Sequence, residues 1–233
     1  DTGGIMNRKI RDALEMFCAE QFGILTEPSD IEQLVNVLDK RVMHRYFGND
    51  GNWKPNNKNF GASGDALIEK VNALEPKNVL DIGCGYNLLK GKIKNLHGID
   101  PYNTLADEII DLMDVRLDGQ FDVVLCLGSI NFGCETEIKR KVAKAVSLCR
   151  PSGHIFWRVN PGLTHTREGA EWVDFFEWDE NKLRELAEEN DCECVDVQED
   201  RWRKDEQGLR YYAHWTRNRD IQAETVSLQN MAR

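Results

Sequence analysis

Val79-Leu80-Asp81-Ile82-Gly83-Cys84-Gly85-Tyr86-Asn87 decides the fold of this 233-residue chain. A short apolar strand, Asn78 to Ile82, runs straight into a glycine-rich turn. Glycines at such a turn let backbone N–H groups come close to a ligand. A dinucleotide site would want G-x-G-x-x-G, with the pyrophosphate on a helix N-terminus. Here Leu88 stands where the third glycine should be. Asp81, two residues ahead of Gly83, would put a carboxylate where a pyrophosphate must lie. That placement repels a dinucleotide and suits a ligand carrying a cationic amino group and a sulfonium.

Outward from the turn, the pattern alternates between strand and helix. Leu88 to Lys94 predicts a short helix, His97 to Asp100 a second strand and Glu108 to Met113 a third. Phe121 to Leu127, an almost unbroken apolar run, fits a strand buried on both faces of a parallel sheet. Glu135 to Leu148 is an amphipathic helix. After the turn Arg150-Pro151-Ser152-Gly153 comes the strand His154 to Val159, and then a helix, Asp179 to Asn190, with Trp178 and Leu183 on its apolar side. Cys192 to Val197 and Gly208 to Trp215 form two late strands joined without a helix, which suggests an antiparallel strand at one edge. Ahead of the turn, apolar spacing predicts helices over Met6 to Phe22 and after Pro28, the second capped by Ser29 with Glu32 as its capping-box partner. Asp65 to Leu74 is a short helix, and the polar stretch Gly48 to Ser63, holding Trp53 and Phe60, is a surface loop or a lid. The residues before Met6 are expected to be an addition, with Met6 as the natural start. The predicted architecture is α/β: a seven-stranded, mostly parallel sheet with helices on both faces. Its expected parts are a helical extension or lid over 1–63, the sheet domain over 64–217 and a polar tail over 218–233.

The run Asp81-Ile82-Gly83-Cys84-Gly85 resembles motif I of the class I S-adenosylmethionine (SAM)-dependent methyltransferases, a Rossmann-like family. The resemblance covers roughly residues 64 to 215. It implies that Asp81, Gly83, Gly85 and Tyr86 lie along the methionine part of SAM. Asp100, nineteen residues after Asp81, matches the acidic residue that bonds the ribose hydroxyls. Asp111, with Asp114 as the alternative, matches the one that meets the adenine, flanked by Leu112, and Leu127 ends the strand beside the cofactor. The chain departs from the family between Asp100 and Phe121, where about twenty residues replace a full helix and strand.

The loop after the fourth expected strand, Gly128-Ser129-Ile130-Asn131-Phe132, must lie beside the transferred methyl group. It lacks both the [DNS]-P-P-[YFW] motif of amino-methylating DNA enzymes and the Pro-Cys pair of cytosine C5 enzymes, which disfavours those substrates. Methyl transfer is a direct displacement, so the protein must chiefly align the nucleophile, with a base in some enzymes. His165, in the loop after the fifth strand, is the candidate base, and Asn131 the candidate for orienting a polar group on the substrate. Asn131 serves equally as a cap of the following turn, and His165 equally as an exposed loop histidine. Aromatic residues crowd the same region and could hold a planar or cationic substrate.

Composition narrows the partners. The net charge is −10, and the short basic groups Lys139-Arg140-Lys141-Lys144 and Arg201-Arg203-Lys204 fit solvated faces better than a phosphate-binding surface. Nucleic acid is therefore not the expected partner. The seven cysteines include no C-x-x-C pair, so no metal site follows from spacing, and reduced thiols in a cytoplasmic protein are expected. No apolar stretch has the length of a membrane span. The expected activity is methyl transfer from SAM to a small molecule. The rivals are a non-catalytic SAM-binding regulatory subunit, a methyltransferase acting on protein or RNA, and a nucleotide-binding oxidoreductase.

Overall fold

The computed structural model describes residues 7–24, 27–51, 64–117, 119–162, 168–201 and 209–218. Six strands form one mixed sheet: β1 (Val79–Ile82), β2 (Leu96–Ile99), β3 (Phe121–Leu127), β4 (Cys149–Val159), β5 (Cys192–Arg201) and β6 (Leu209–Arg217). Their order is β2-β1-β3-β4-β6-β5. The β2–β1–β3–β4 part is parallel, and β6 runs antiparallel to both β4 and β5. The antiparallel strand therefore lies one position in from the edge.

Apolar side chains alternate between two cores along the central strands. Val124 and Cys126 of β3, Leu80 and Ile82 of β1 and Trp157 of β4 face one core. That core is completed by α4 (Glu135–Leu148) and α5 (Glu180–Glu189). Val123 and Leu125, with Val79 and Phe156, face the other, under α3 (Ile68–Asn72) and the preceding 3₁₀ turn. Each fully buried side chain of this size contributes about 1.5–3 kcal/mol. Trp157 and Arg158 point to opposite faces as a strand requires: Trp157 is buried, and Arg158 pairs with Asp200 on β5. Trp178 and Leu183 are both buried on the α5 side. Helix α4 starts with a capping box between Cys134 and Glu137, and its Lys139 pairs with Glu189 and Glu135.

The structure departs from expectation where the chain is short. Only six strands form among the described residues, because Glu108 to Met113 is not a strand. Its pairing is one bridge, Ile99 to Glu108, after which Asp111 caps a 3₁₀ turn over Leu112–Asp114. The segment closes the β2 edge instead: Asp107 N donates to Gly98 O (2.9 Å), and Asp100 N to Glu108 O (3.2 Å). An edge covered in this way cannot pair with another chain. Leu88 to Lys94 is a run of turns and not a helix. Asn87 (φ 53°) and Asn95 (φ 58°) bracket it in left-handed conformations, and its central Gly91 disfavours a helix by about 1 kcal/mol.

Two N-terminal helices precede the sheet, α1 (Arg8–Phe22) and α2 (Pro28–Phe47). Pro28 occupies the first turn of α2 after Glu27 at the N-cap. Its fixed φ suits that position, so Ser29 lies inside the helix and not at its cap. Ile10, Ile31 and Val35 join the two helices. The pair is anchored to the loop after β4: Asn7 Nδ2 donates to Trp172 O (2.8 Å) and to Asp39 Oδ1 (2.8 Å), and Lys9 Nζ to Val173 O (3.0 Å). At the other end of α2, Tyr46 packs with Ala170 and Val173. Among the described residues, no helix is long and apolar enough to cross a membrane. All seven cysteines are free thiols.

Candidate cofactor and acceptor site

The site forms where β1, β2 and β3 end together, at the carboxyl edge of the parallel strands, where open α/β sheets bind ligands. Gly83 leaves β1 with φ +68°, and a Cβ there would lie 2.3 Å from Ser129 Cβ on the loop after β3. Only glycine admits both the left-handed backbone and that close approach. The turn is pinned to β2 by Gly83 N and Cys84 N, which donate to Ile99 O at 2.8 and 3.0 Å.

Two carboxylates face this turn. Asp81 is 4% exposed and paired in register with Gly98 and Leu125. Among the described residues no donor or cation reaches its side chain. Burial, and then the charge of Asp100, raise its pKa from 3.8 to about 7. Asp100, at the end of β2, is also buried. Its Oδ2 accepts from Gly85 N (3.0 Å), and its Oδ1 from Tyr102 N (2.8 Å) and Asn103 N (2.9 Å). Burial raises its pKa, against the pull of those three N–H groups. A carboxylate offers about four acceptor positions, so one remains for a ligand hydroxyl. Cys84 lies beside these acids. Burial and the charges of Asp81, Asp100 and Asp107 push its thiol up, which rules it out as a ready nucleophile.

Further polar atoms await a partner. Asn103 is 1% exposed, and its Nδ2 is buried without an acceptor. Ser129 Oγ, above Gly83, is buried without a partner too. A buried unpaired polar group costs about 1–3 kcal/mol, a cost that a polar ligand removes. The Tyr86 hydroxyl donates to Asn49 O (3.3 Å), and Asn49 in turn holds Thr104, accepting from Thr104 N (2.9 Å) and donating to Thr104 Oγ1 (2.6 Å). Asn49, which the sequence did not single out, thus joins the N-terminal extension to both loops of the site. Nothing local marks it, since its partner lies 55 residues away.

The remaining candidates are placed less simply. Asp111 is exposed, and its Oδ1 accepts from Met113 N (2.8 Å). Asp114 is exposed at the end of the same turn. Leu112 is buried in the α4 core, and Leu127 is half-buried against Gly64 on the opposite face. Asn131 is 5% exposed. Its Oδ1 accepts from Asn160 N (2.9 Å), which ties the loops after β3 and β4 together. No described residue accepts from its Nδ2. His165, Trp53 and Phe60 lie outside the described residues. An aromatic group joins three elements: Phe47 at the end of α2, Phe132 after β3 and Phe175 after β4, with successive ring centroids 4.9 and 5.3 Å apart.

No helix follows the glycine turn, so the helix N-terminus that receives a dinucleotide's pyrophosphate is missing. Together with the placement of Asp81, that counts against a dinucleotide site. The donor set fits SAM instead. Asp81 can meet a cationic group, Asp100 a ribose hydroxyl, and Asn103 Nδ2 and Ser129 Oγ further acceptors on the same ligand.

No protein-family model and no curated protein matches the sequence. Among solved structures, the chain is similar to the 1,6-didemethyltoxoflavin-N1-methyltransferase of Burkholderia thailandensis with bound 1,6-didemethyltoxoflavin and S-adenosylhomocysteine. The two are 20% identical with a TM-score of 0.59, over 84% of this chain and 92% of that one. The N-methyltransferase NodS of Bradyrhizobium japonicum, in complex with S-adenosylhomocysteine, is 14% identical with a TM-score of 0.54, over 76% of this chain and 97% of that one. A SAM-dependent methyltransferase of Clostridium acetobutylicum is 13% identical with a TM-score of 0.50, over 66% and 90%. The sheet order, the glycine turn and these likenesses together establish that the chain has the fold of the class I SAM-dependent methyltransferases.

Proposed function

We propose that this chain transfers the methyl group of S-adenosyl-L-methionine to a small-molecule acceptor by direct displacement. The observation that carries the reading is the buried carboxylate Asp81, without a partner among the described residues, beside Asp100 at a glycine turn that leads into no helix. A buried carboxylate that lacks a counter-charge calls for a cationic ligand. The ligand's sulfonium supplies the chemistry: a methyl group bound to a positively charged leaving group. The chain's own part is alignment. Asp81, Gly83 and Gly85 would hold the amino-acid end of the cofactor. Asp100 would bond the ribose, with Asn103 beside it, and Asp111 and Leu112 would border the adenine. Tyr86 contributes through Asn49, by positioning the turn. Alignment alone can lower the barrier of a two-substrate displacement by several kcal/mol.

On the acceptor side, Asn131 Nδ2 is the polar group we assign to orienting the substrate, and His165 is the base we assign to taking a proton where the acceptor carries one. The two N-terminal helices we assign as a lid. A small acceptor is supported by the acidity of the chain, which repels polyanionic substrates. The likeness to an enzyme acting on 1,6-didemethyltoxoflavin points the same way. A cytoplasmic location fits the free thiols.

Calorimetric titration with SAM, S-adenosylhomocysteine and NAD tests the proposal, on the intact chain and on Asp100→Ala. The expected result is binding of both sulfur ligands, no binding of NAD, and a loss of about tenfold or more in the variant, the cost of a hydrogen bond to a charged group. A well-folded chain that ignores SAM would overturn it. SAM binding without release of S-adenosylhomocysteine against any acceptor would point to the regulatory subunit instead.

A further inference from the structure

We infer that a second copy of this chain docks on the outer face of α2, antiparallel to the first, so that the protein forms a twofold dimer. Six of the thirteen large apolar side chains that stand exposed among the described residues, Met16, Phe17, Phe22, Ile24, Leu34 and Val37, belong to the α1–α2 hairpin. Such a concentration of exposed apolar surface marks an interaction site. The sequence of α2 shows where the contact is specified. Its inner face, Ile31, Val35, Leu38 and Val42, meets α1. Leu34 and Val37, each 52% exposed, lie on another face. Asp30, Leu34, Val37 and Arg41 follow one another at intervals of four, three and four residues, the spacing of a coiled-coil seam. At about 100° per residue they fall within an arc of about 60°, and all four are exposed.

The seam is its own complement, because it runs acid, apolar, apolar, base. A twofold axis that passes between Leu34 and Val37, perpendicular to the helix, lays Leu34 beside Val37 of the second copy and Asp30 beside Arg41 of the second copy. The same axis makes the reverse contacts. The dimer then has two apolar contacts at its centre and an ion pair at each end. A parallel pairing fails, since it sets Asp30 against Asp30 and Arg41 against Arg41. Within one chain the two charges stand eleven residues apart, about 16 Å along the helix, too far to pair with each other. Among the described residues neither has an ion-pair partner. A different protein would have to match this order of charges, and a second copy of the chain matches it by symmetry.

Sedimentation equilibrium of the intact chain, from micromolar to millimolar concentration and with the thiols kept reduced, tests the inference. The parent chain should pass from monomer to dimer over that range. Asp30→Arg and Arg41→Asp each turn both ion pairs into like-charge contacts, and each should weaken the dimer by about tenfold or more. Both positions are exposed, so the melting temperature should stay close to that of the parent. Mixed in equal amounts, the two single variants should regain the parent's association, because opposite charges then face each other at both ends of a mixed pair. Leu34→Ser should weaken association without touching the charges. A parent chain that stays monomeric throughout would overturn the inference and leave the seam to a different protein. A dimer indifferent to all three substitutions, or a mixture that associates no better than its two components, would overturn it as well.

Discussion

Asp81→Asn should make the ligand-free protein more stable and a poorer binder of SAM at the same time. The pKa of Asp81 rises from 3.8 to about 7 on folding. Between those values the folded state holds a proton that the unfolded state has released, so stability falls as pH rises. The cost begins near pH 4 and is complete above about pH 7. Three pH units at about 1.4 kcal/mol each come to about 4 kcal/mol at pH 8, and about 1.5 kcal/mol at pH 5. Asparagine keeps the shape and removes the charge. For a chain of this size the gain at pH 8 corresponds to a rise of about 8–16 °C in melting temperature, and it should shrink by more than half at pH 5. Thermal unfolding at the two pH values measures it. SAM should reverse the ranking, because its cation stabilises the ionised Asp81 of the parent chain and has nothing to gain from the amide. Parent affinity for SAM should accordingly rise with pH through about 7, and the variant's should not. An Asp81→Asn variant no more stable than the parent at pH 8, or a gain equal at both pH values, would refute the idea that an unpaired charge is stored there.

Three further outcomes follow from the same geometry. Gly83→Ala should cost about 1–2 kcal/mol for the left-handed backbone and more for the 2.3 Å approach to Ser129 Cβ, with SAM binding lost before the fold is; calorimetry and thermal unfolding separate the two. Arg217→Ala should lower the melting temperature, since its guanidinium donates to the carbonyls of Val146, Ser147 and Cys149 at the end of α4, a loss of about 2 kcal/mol that leaves SAM affinity alone. His214, stacked on Phe156 and 3.0 Å from His154 Nδ1, has its pKa lowered from 6.5 to about 4, mainly by burial. The unfolded chain takes up its proton first, so stability should drop as pH falls from about 6.5 toward 4, and His214→Phe should flatten that drop in a pH series of unfolding curves.

Most of the architecture was legible because it follows from local pattern. The unbroken apolar run at Phe121–Leu127 and the helical spacing of Glu135–Leu148 and Glu180–Glu189 gave their elements almost to the residue. The turn at Gly83 was legible for the same reason: its chemistry is contained in five residues. What failed was a choice between near-equal local states. Leu88–Lys94 has helical apolar spacing, yet Gly91 in its middle (φ 79°) and the asparagines on either side are left-handed, and a helix cannot run through them. Glu108–Met113 has strand-like apolar residues, yet Asp107 is already committed to Gly98 N (2.8 Å) and Lys90 Nζ (2.8 Å), which fixes the chain at the sheet edge before a strand can extend. Asn49 and Asn103 were invisible because their roles depend on contacts across the fold and on a ligand, neither of which leaves a periodic trace.

The shortened middle of the chain changes what the N-terminal extension must do. A glycine turn that enters a helix is held by the first turn of that helix. Here no such helix exists, and the turn is held by Ile99 O, by the carboxylate of Asp100 and, through Tyr86, by Asn49. One of the three restraints therefore belongs to α2 and the loop that follows it. The same loop grips Thr104, next to Asn103, whose N–H helps to orient Asp100. The geometry of the glycine turn and of the loop after β2 is thus tied to the N-terminal extension. Because Phe47 ends the same helix, a shift of α2 would displace its ring contact with Phe132 and the glycine turn together. Such a coupling favours binding in which each ligand orders the surroundings of the other, a positive cooperativity expected whenever two sites share one restraining element.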